Sequence, residues 1–200
     1  MEGTTTMRHM ILAIAAAMAP VLAAIPQSAH AAGETIALDE AAETLAPNAF
    51  VWRDPGNADP VTVVVSIPQQ RAFVYRGDAL VAASSVSTGK DGKETPTGVY
   101  PILQKNEQHR SNLYDGAPMP FMQRLTWDGI ALHAGRNPGF PASHGCVRMP
   151  TQFARRLFSV TDLGTTVVVT DMFVDGDTLD RDLLMTDEMR ANEARLAVLD

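Results

Sequence analysis

The chain of 200 residues contains a single cysteine, Cys146, in the run Ser143-His144-Gly145-Cys146-Val147-Arg148-Met149, thirteen residues after another histidine, His133. A cysteine thiolate is a strong nucleophile. To attack an amide it needs exposure, a base for its proton and donors for the oxyanion it creates. Gly145 permits the sharp turn that exposes such a thiol. Successive N–H groups at His144, Gly145 and Cys146 can converge on an oxyanion, with Ser143 in the same turn. His133 is the candidate base. The planar guanidinium of Arg148 suits a substrate carboxylate. Singly, each residue has an ordinary explanation: a packed strand histidine, a plain turn, a surface charge. Their grouping around one thiol points to catalysis.

A zinc site is the competing use of Cys146, His144 and His133. The paired Cys-x2-Cys or His-x3-His spacing is missing, and there is one thiol, so the reading requires no metal and no cofactor.

The N-terminus gives the thiol a setting. Arg8 and His9 precede an apolar run from Met10 to Ile25. Pro26-Gln27-Ser28 and the small-residue site Ala29-His30-Ala31 follow. This order predicts a secretory signal peptide over 1–31, cleaved after Ala31. The short run is broken by Pro20, which disfavours a transmembrane anchor. No cysteine follows it, so a lipoprotein anchor is not expected. Met7 offers an alternative start. An exported protein with one unpaired thiol has a reason to keep it reactive.

The charge is −7, from 16 basic and 23 acidic residues. Removing 1–31 takes away Glu2 and Arg8 and leaves that balance unchanged. An acidic chain without a basic cluster is a poor partner for nucleic acid or anionic membranes.

The elements that must position the site read as follows. Residues 32–58 form a polar linker segment. Residues 59–172 form one domain, mainly β with a minor helix, large enough for a real core. Val61–Ile67, Arg71–Arg76 and Ala79–Ser87 are strands, with a Gly77-Asp78 hairpin turn between the last two. Gly89–Gly98 is a turn-rich connection and Val99–Lys105 another strand. Asp128-Gly129 turns the chain into a strand Ile130–His133. There Ile130 and Leu132 share one face, and Ala131 and His133 the other. A loop rich in glycine and proline then folds back and brings His133 to Cys146. Pro150-Thr151 opens a helix to Val160, and Thr165–Thr170 is the final strand. Residues 173–200 form an acidic tail in which Thr186 can cap a helix towards Leu199.

The residues His133-Ala134-Gly135, Pro141-Ala142 and Ser143 to Met149 resemble the signature of the L,D-transpeptidases, the YkuD-type catalytic domain. The likeness extends upstream through Gln69 or Gln70, Ser85–Lys90 and Thr95–Tyr100, and covers about Val61 to Thr170. The resemblance implies a β-sandwich-like catalytic fold with one short helix after the cysteine. It implies an enzyme of peptidoglycan. There the cysteine attacks the third residue of a stem peptide, releases the terminal D-Ala and passes the acyl group to an amine. That amine belongs to a second stem peptide, a D-amino acid or a lipoprotein lysine.

Carried over residue by residue, Cys146 is the nucleophile, His133 the base, and the backbone carbonyl of Ala134 orients the imidazole. His144, Gly145 and Ser143 shape the oxyanion turn, and Arg148 holds a carboxylate. The chain departs from the family in having Ala134, not glycine, directly after His133, and in a shorter spacer before Ser143. The long connection Gln104–Leu125, with Tyr114 as a candidate substrate contact, is then the expected lid. The reading is an exported transpeptidase of the periplasm or cell wall, without a membrane span after signal cleavage. Its alternatives are a hydrolase using the same thiol and a non-catalytic wall-binding module.

Overall fold

The computed structural model describes residues 38–176, 178–186, 188–191 and 195. The expected signal peptide over 1–31 lies outside the described residues. Among the described residues ten strands form two sheets. The larger takes β1 (Phe50–Trp52), β2 (Val61–Ser66), β3 (Arg71–Arg76), β4 (Ala79–Ser85), β5 (Gly98–Pro101) and β10 (Thr166–Thr170), in the order β1-β4-β3-β2-β10-β5. The smaller is β6 (Gln104–Arg110), β7 (Pro118–Arg124), β8 (Ala131–Ala134) and β9 (Val147–Met149), in chain order. Residues 38–43 are helical, α1. The helix α2 (Thr151–Val160) follows β9 directly.

The central strands are apolar on both faces because both faces are covered. Val63, Val65, Val74, Val167 and Val169 point into the core between the sheets, with Phe153 and Leu157 of α2. Val64, Phe73, Tyr75 and Val168 point the other way, into a second cluster with Leu38, Ala42, Val174, Leu179 and Leu183. This second layer corrects the reading of 32–58 as a linker. Its described part contributes α1 to the outer face and β1 to the sheet edge. Arg71 caps α1 from β3, its Nε donating to Ala42 O at 3.0 Å and its Nη2 to Leu45 O at 2.7 Å. The start of the tail docks too. Gln69 exchanges two hydrogen bonds with the Val174 backbone, and Leu183 reaches the second cluster. Thr186 caps the helical turn at 188–191, its hydroxyl accepting from Met189 N at 3.2 Å.

Two further expectations change. Val99–Lys105 is not one strand: Ile102 and Leu103 carry the chain from β5 in one sheet to β6 in the other. The long connection 104–125 is mostly a β6–β7 hairpin, registered from Gln104↔Arg124 to Arg110↔Pro118. Its base is tied to α2 by Lys105, whose ammonium donates to Phe158 O at 2.7 Å and to Thr161 O at the helix C-terminus. The Asp128-Gly129 turn forms as expected, Leu125 N donating to Ile130 O at 2.8 Å.

Candidate active site

β8 and β9 run parallel, with Leu132↔Val147, His133↔Arg148 and Ala134↔Met149 in register. Side chains alternate along a strand, so the pairing sorts them into two faces. Leu132, Ala134, Val147 and Met149 are buried in the core. The opposite face carries His133 and Arg148, and Cys146 lies one step before β9 on that same side. These three line one cleft of about 360 Å³, together with Tyr114, Ser143 and His144.

The Cys146 turn is held by a scaffold that the motif itself does not contain. Ser87 and Arg148 exchange backbone hydrogen bonds at 2.9 and 3.0 Å. Ala142 N and Ser143 N both donate to Thr88 O. Thr88 is fixed in turn by the buried Gln70, whose Oε1 accepts from Thr88 N at 3.0 Å while its Nε2 donates to Thr88 Oγ1 at 2.7 Å. Thr95 donates to Gly145 O at 2.8 Å. Gly89 lets these segments cross: a Cβ there would lie 1.9 Å from Lys93 O. Asn137 pins the loop after His133 by donating to Ser85 O at 2.8 Å. Such pairings join residues far apart in the chain. The sequence signals for them are the polar residues Ser84, Ser85, Ser87 and Thr88 around the end of a buried strand, with Gln70 and Thr95 in the upstream likeness.

Inside the turn, Gly145 has φ +112°, a conformation that disfavours a side chain. Its N–H donates to Ser143 Oγ at 3.1 Å, and Ser143 Oγ donates to Cys146 O at 2.5 Å. This corrects the expectation that three N–H groups converge: that of Gly145 is occupied. The His144 and Cys146 N–H groups make no hydrogen bond to a described residue. Gly145 itself is buried behind the cleft, and Ala134 enters through its carbonyl alone, its side chain facing the core.

His133 Nδ1 lies 2.8 Å from Ala134 O. That contact assigns the proton to Nδ1 and leaves Nε2 as an acceptor. Burial pushes the imidazole down to about 4; the Ala134 carbonyl pulls it up, and Arg148 and His109 add to the depression. The Cys146 thiol donates to Gly129 O at 3.3 Å and is half-buried. Burial raises its pKa, while the Ala131 N–H, Arg148 and Arg124 act the other way. At neutral pH the cleft therefore holds a thiol and a neutral imidazole, the protonation states that general-base activation starts from. The Arg148 guanidinium forms no ion pair with a described residue. Gly135 leaves room between it and the imidazole: a Cβ there would stand 3.3 Å from Arg148 Cγ and 3.4 Å from His133 Cε1.

At the mouth, the rings of Tyr114 and His144 lie 4.8 Å apart between centroids, Tyr114 reaching over from the tip of the β6–β7 hairpin. Arg136, which the sequence reading did not single out, lines the same mouth. Among the described residues no group of three or more His, Cys, Asp or Glu is placed to hold a metal, and no helix is long and apolar enough to cross a membrane.

Comparison with known proteins gives three findings. The family described as YkuD, the L,D-transpeptidase catalytic domain, matches residues 60–169. A curated Bacillus licheniformis protein, YkuD, with a provisional L,D-transpeptidase assignment, is 27% identical over 115 residues, 56% of this chain and 66% of that protein. A solved L,D-transpeptidase from Stackebrandtia nassauensis superposes with TM-score 0.51 at 28% identity, covering 57% of each chain. One from Xylanimonas cellulosilytica superposes with TM-score 0.52 at 22% identity, covering 58% of this chain and 63% of the other. In each case the match spans less than two thirds of the relative's own length.

Proposed function

The chain belongs to the L,D-transpeptidase catalytic domain family, and on that premise we propose that it is an exported cysteine acyltransferase of peptidoglycan stem peptides. The observation that supports this reading is the β8–β9 register, through which Cys146, His133 and Arg148 face one cleft.

The chemistry follows from those groups. His133 Nε2 takes the thiol proton as sulfur attacks the carbonyl of the third stem residue, and an S–C bond forms. The His144 and Cys146 N–H groups receive the oxyanion. The C–N bond to D-Ala breaks, and the imidazolium returns its proton to the departing amine. Arg148 holds the carboxylate of that leaving residue. An incoming amine then takes the vacated position, loses its proton to His133 and displaces the sulfur as a new amide forms, and the imidazolium returns that proton to the departing thiolate. Neither step needs an oxidant or a cofactor. Tyr114 and His144 form a gate through which peptide enters.

The test is product analysis on a disaccharide-tetrapeptide, alone and with a D-amino acid. Release of D-Ala with formation of a cross-linked dimer or exchanged peptide supports a transferase. Release of D-Ala with only the tripeptide formed, at every amine concentration, means that water is the acceptor. Absence of any D-Ala release contradicts the reading.

A further inference from the structure

The chain has two tryptophans. Trp52 packs edge-on against Phe153, with ring centroids 5.5 Å apart. Trp127 is 73% exposed. Leaving so large an apolar ring in water is unfavourable, and an exposed indole beside a cleft marks a binding surface. The ring is held in place. It sits in the turn before β8, where Gly129 N donates to Thr126 O at 3.3 Å and Thr126 N to Ile130 O at 3.2 Å. The Arg124 guanidinium lies over it, 5.8 Å from the ring centroid. Asp128, next in the turn, is exposed, lines the cleft and forms no ion pair with a described residue.

The register of β8 and β9 fixes where this turn stands relative to the chemistry. Leu132 pairs with Val147, so Cys146 is level with Ala131. His133 and Arg148 pair two residues further along, about 7 Å at the usual strand rise. The turn lies at the opposite end, where Gly129 O accepts from the Cys146 thiol at 3.3 Å. The order along the strands is therefore the Trp127 turn, then the sulfur, then the base and the arginine.

In the mechanism proposed above, the departing residue leaves on the His133 and Arg148 side. The rest of the donor, two stem residues and then the sugar, runs from the sulfur toward the turn. Two residues span at most about 7 Å, and Trp127 stands two residues from Gly129, so sugar and indole are within reach of each other. Their chemistry matches. A sugar ring offers a C–H face that stacks on an aromatic plane, and hydroxyls that donate to a carboxylate. We infer that Trp127 is the platform for the sugar carried by the donor stem, with Asp128 accepting from its hydroxyls. The inference rests on the transpeptidase reading above and adds that the site reads glycan as well as peptide.

The experiment measures the rate of acyl-enzyme formation by intact mass at low donor concentration, with no acceptor present. One donor is a disaccharide-tetrapeptide. The other is the same tetrapeptide with an N-acetyl group in place of the disaccharide. The wild type should favour the first by at least about fivefold, the order expected from taking one indole face out of water. Trp127→Ala should bring the ratio to about one, Trp127→Phe should keep part of it, and Asp128→Ala should lower it. A wild type that does not distinguish the donors overturns the platform and leaves the transpeptidase reading standing. So does a Trp127→Ala protein that keeps the full ratio, even if it is slower with both donors. Failure of the wild type to form an acyl-enzyme with either donor removes both.

Discussion

His133 and Arg148 stand directly opposite each other in the parallel β8–β9 pair, on the face that lines the cleft. A cation beside the base has a consequence. It opposes protonation of the imidazole, in the same direction as burial, and helps keep His133 neutral and ready to accept a proton.

The pH dependence of acylation should reflect that neutrality. Acylation should be flat from about pH 5 to 7 and fall at lower pH with a midpoint near the His133 pKa of about 4. It should rise above neutrality as the thiol, its pKa raised by burial, begins to ionise. Stopped-flow acylation by a carbapenem across pH checks this. An acid limb near pH 6.5 would mean an exposed, ordinary histidine.

Folding stability should follow the same group. The folded pKa lies below the unfolded value of 6.5, so the unfolded chain binds the proton more tightly. The contribution is therefore complete above pH 6.5 and is lost as pH falls through about 4, by up to about 3 kcal/mol. Urea unfolding of wild type and His133→Asn between pH 7 and 4 measures it: the wild type should lose more stability over that interval.

The two site histidines should separate. His133→Ala should slow acylation by about a hundredfold to ten-thousandfold, the usual worth of a positioned base. His144→Ala should cost less, because its residue is exposed and its ring is tilted against that of Tyr114, while its backbone shapes the turn. Equal folding by circular dichroism is the control. A larger loss in the His144 variant reverses the assignment.

Arg148→Lys should lower kcat/KM by about 10- to 150-fold, the equivalent of about 1.5–3 kcal/mol, if the guanidinium holds a carboxylate, because an ammonium cannot reproduce the planar fork. Kinetics like the wild type, with normal stability, would make Arg148 a bystander.

Much of the site was legible because its chemistry lies in one short run plus one strand. The alternation Ile130, Ala131, Leu132, His133 already puts the imidazole on the face opposite the core, and β8 is built that way. The fate of the Gly145 N–H was not legible, since Ser143 Oγ competes for it only in the folded turn. Nor was the support from Gln70 and Thr95, which depends on contacts across 18 and 50 residues. The hairpin over the site was missed for local reasons. β6 reads Gln-Lys-Asn-Glu-Gln-His-Arg, without an apolar face, and β7 contains Pro118, Pro120 and a Phe121 at φ +55°. Proline and charge mark edges and loops more often than strands. β7 accepts them because β8 pairs only with Gln123 and Arg124, leaving its first residues with one partner strand.

The central claim is that Cys146 carries the acyl group. Intact-mass measurement after exposure to disaccharide-tetrapeptide and, separately, to a carbapenem tests it directly on wild type and Cys146→Ala. The account predicts one adduct on the wild type in each case, mapped to the peptide containing Cys146, and none on a variant that folds normally. An adduct retained by Cys146→Ala would contradict it.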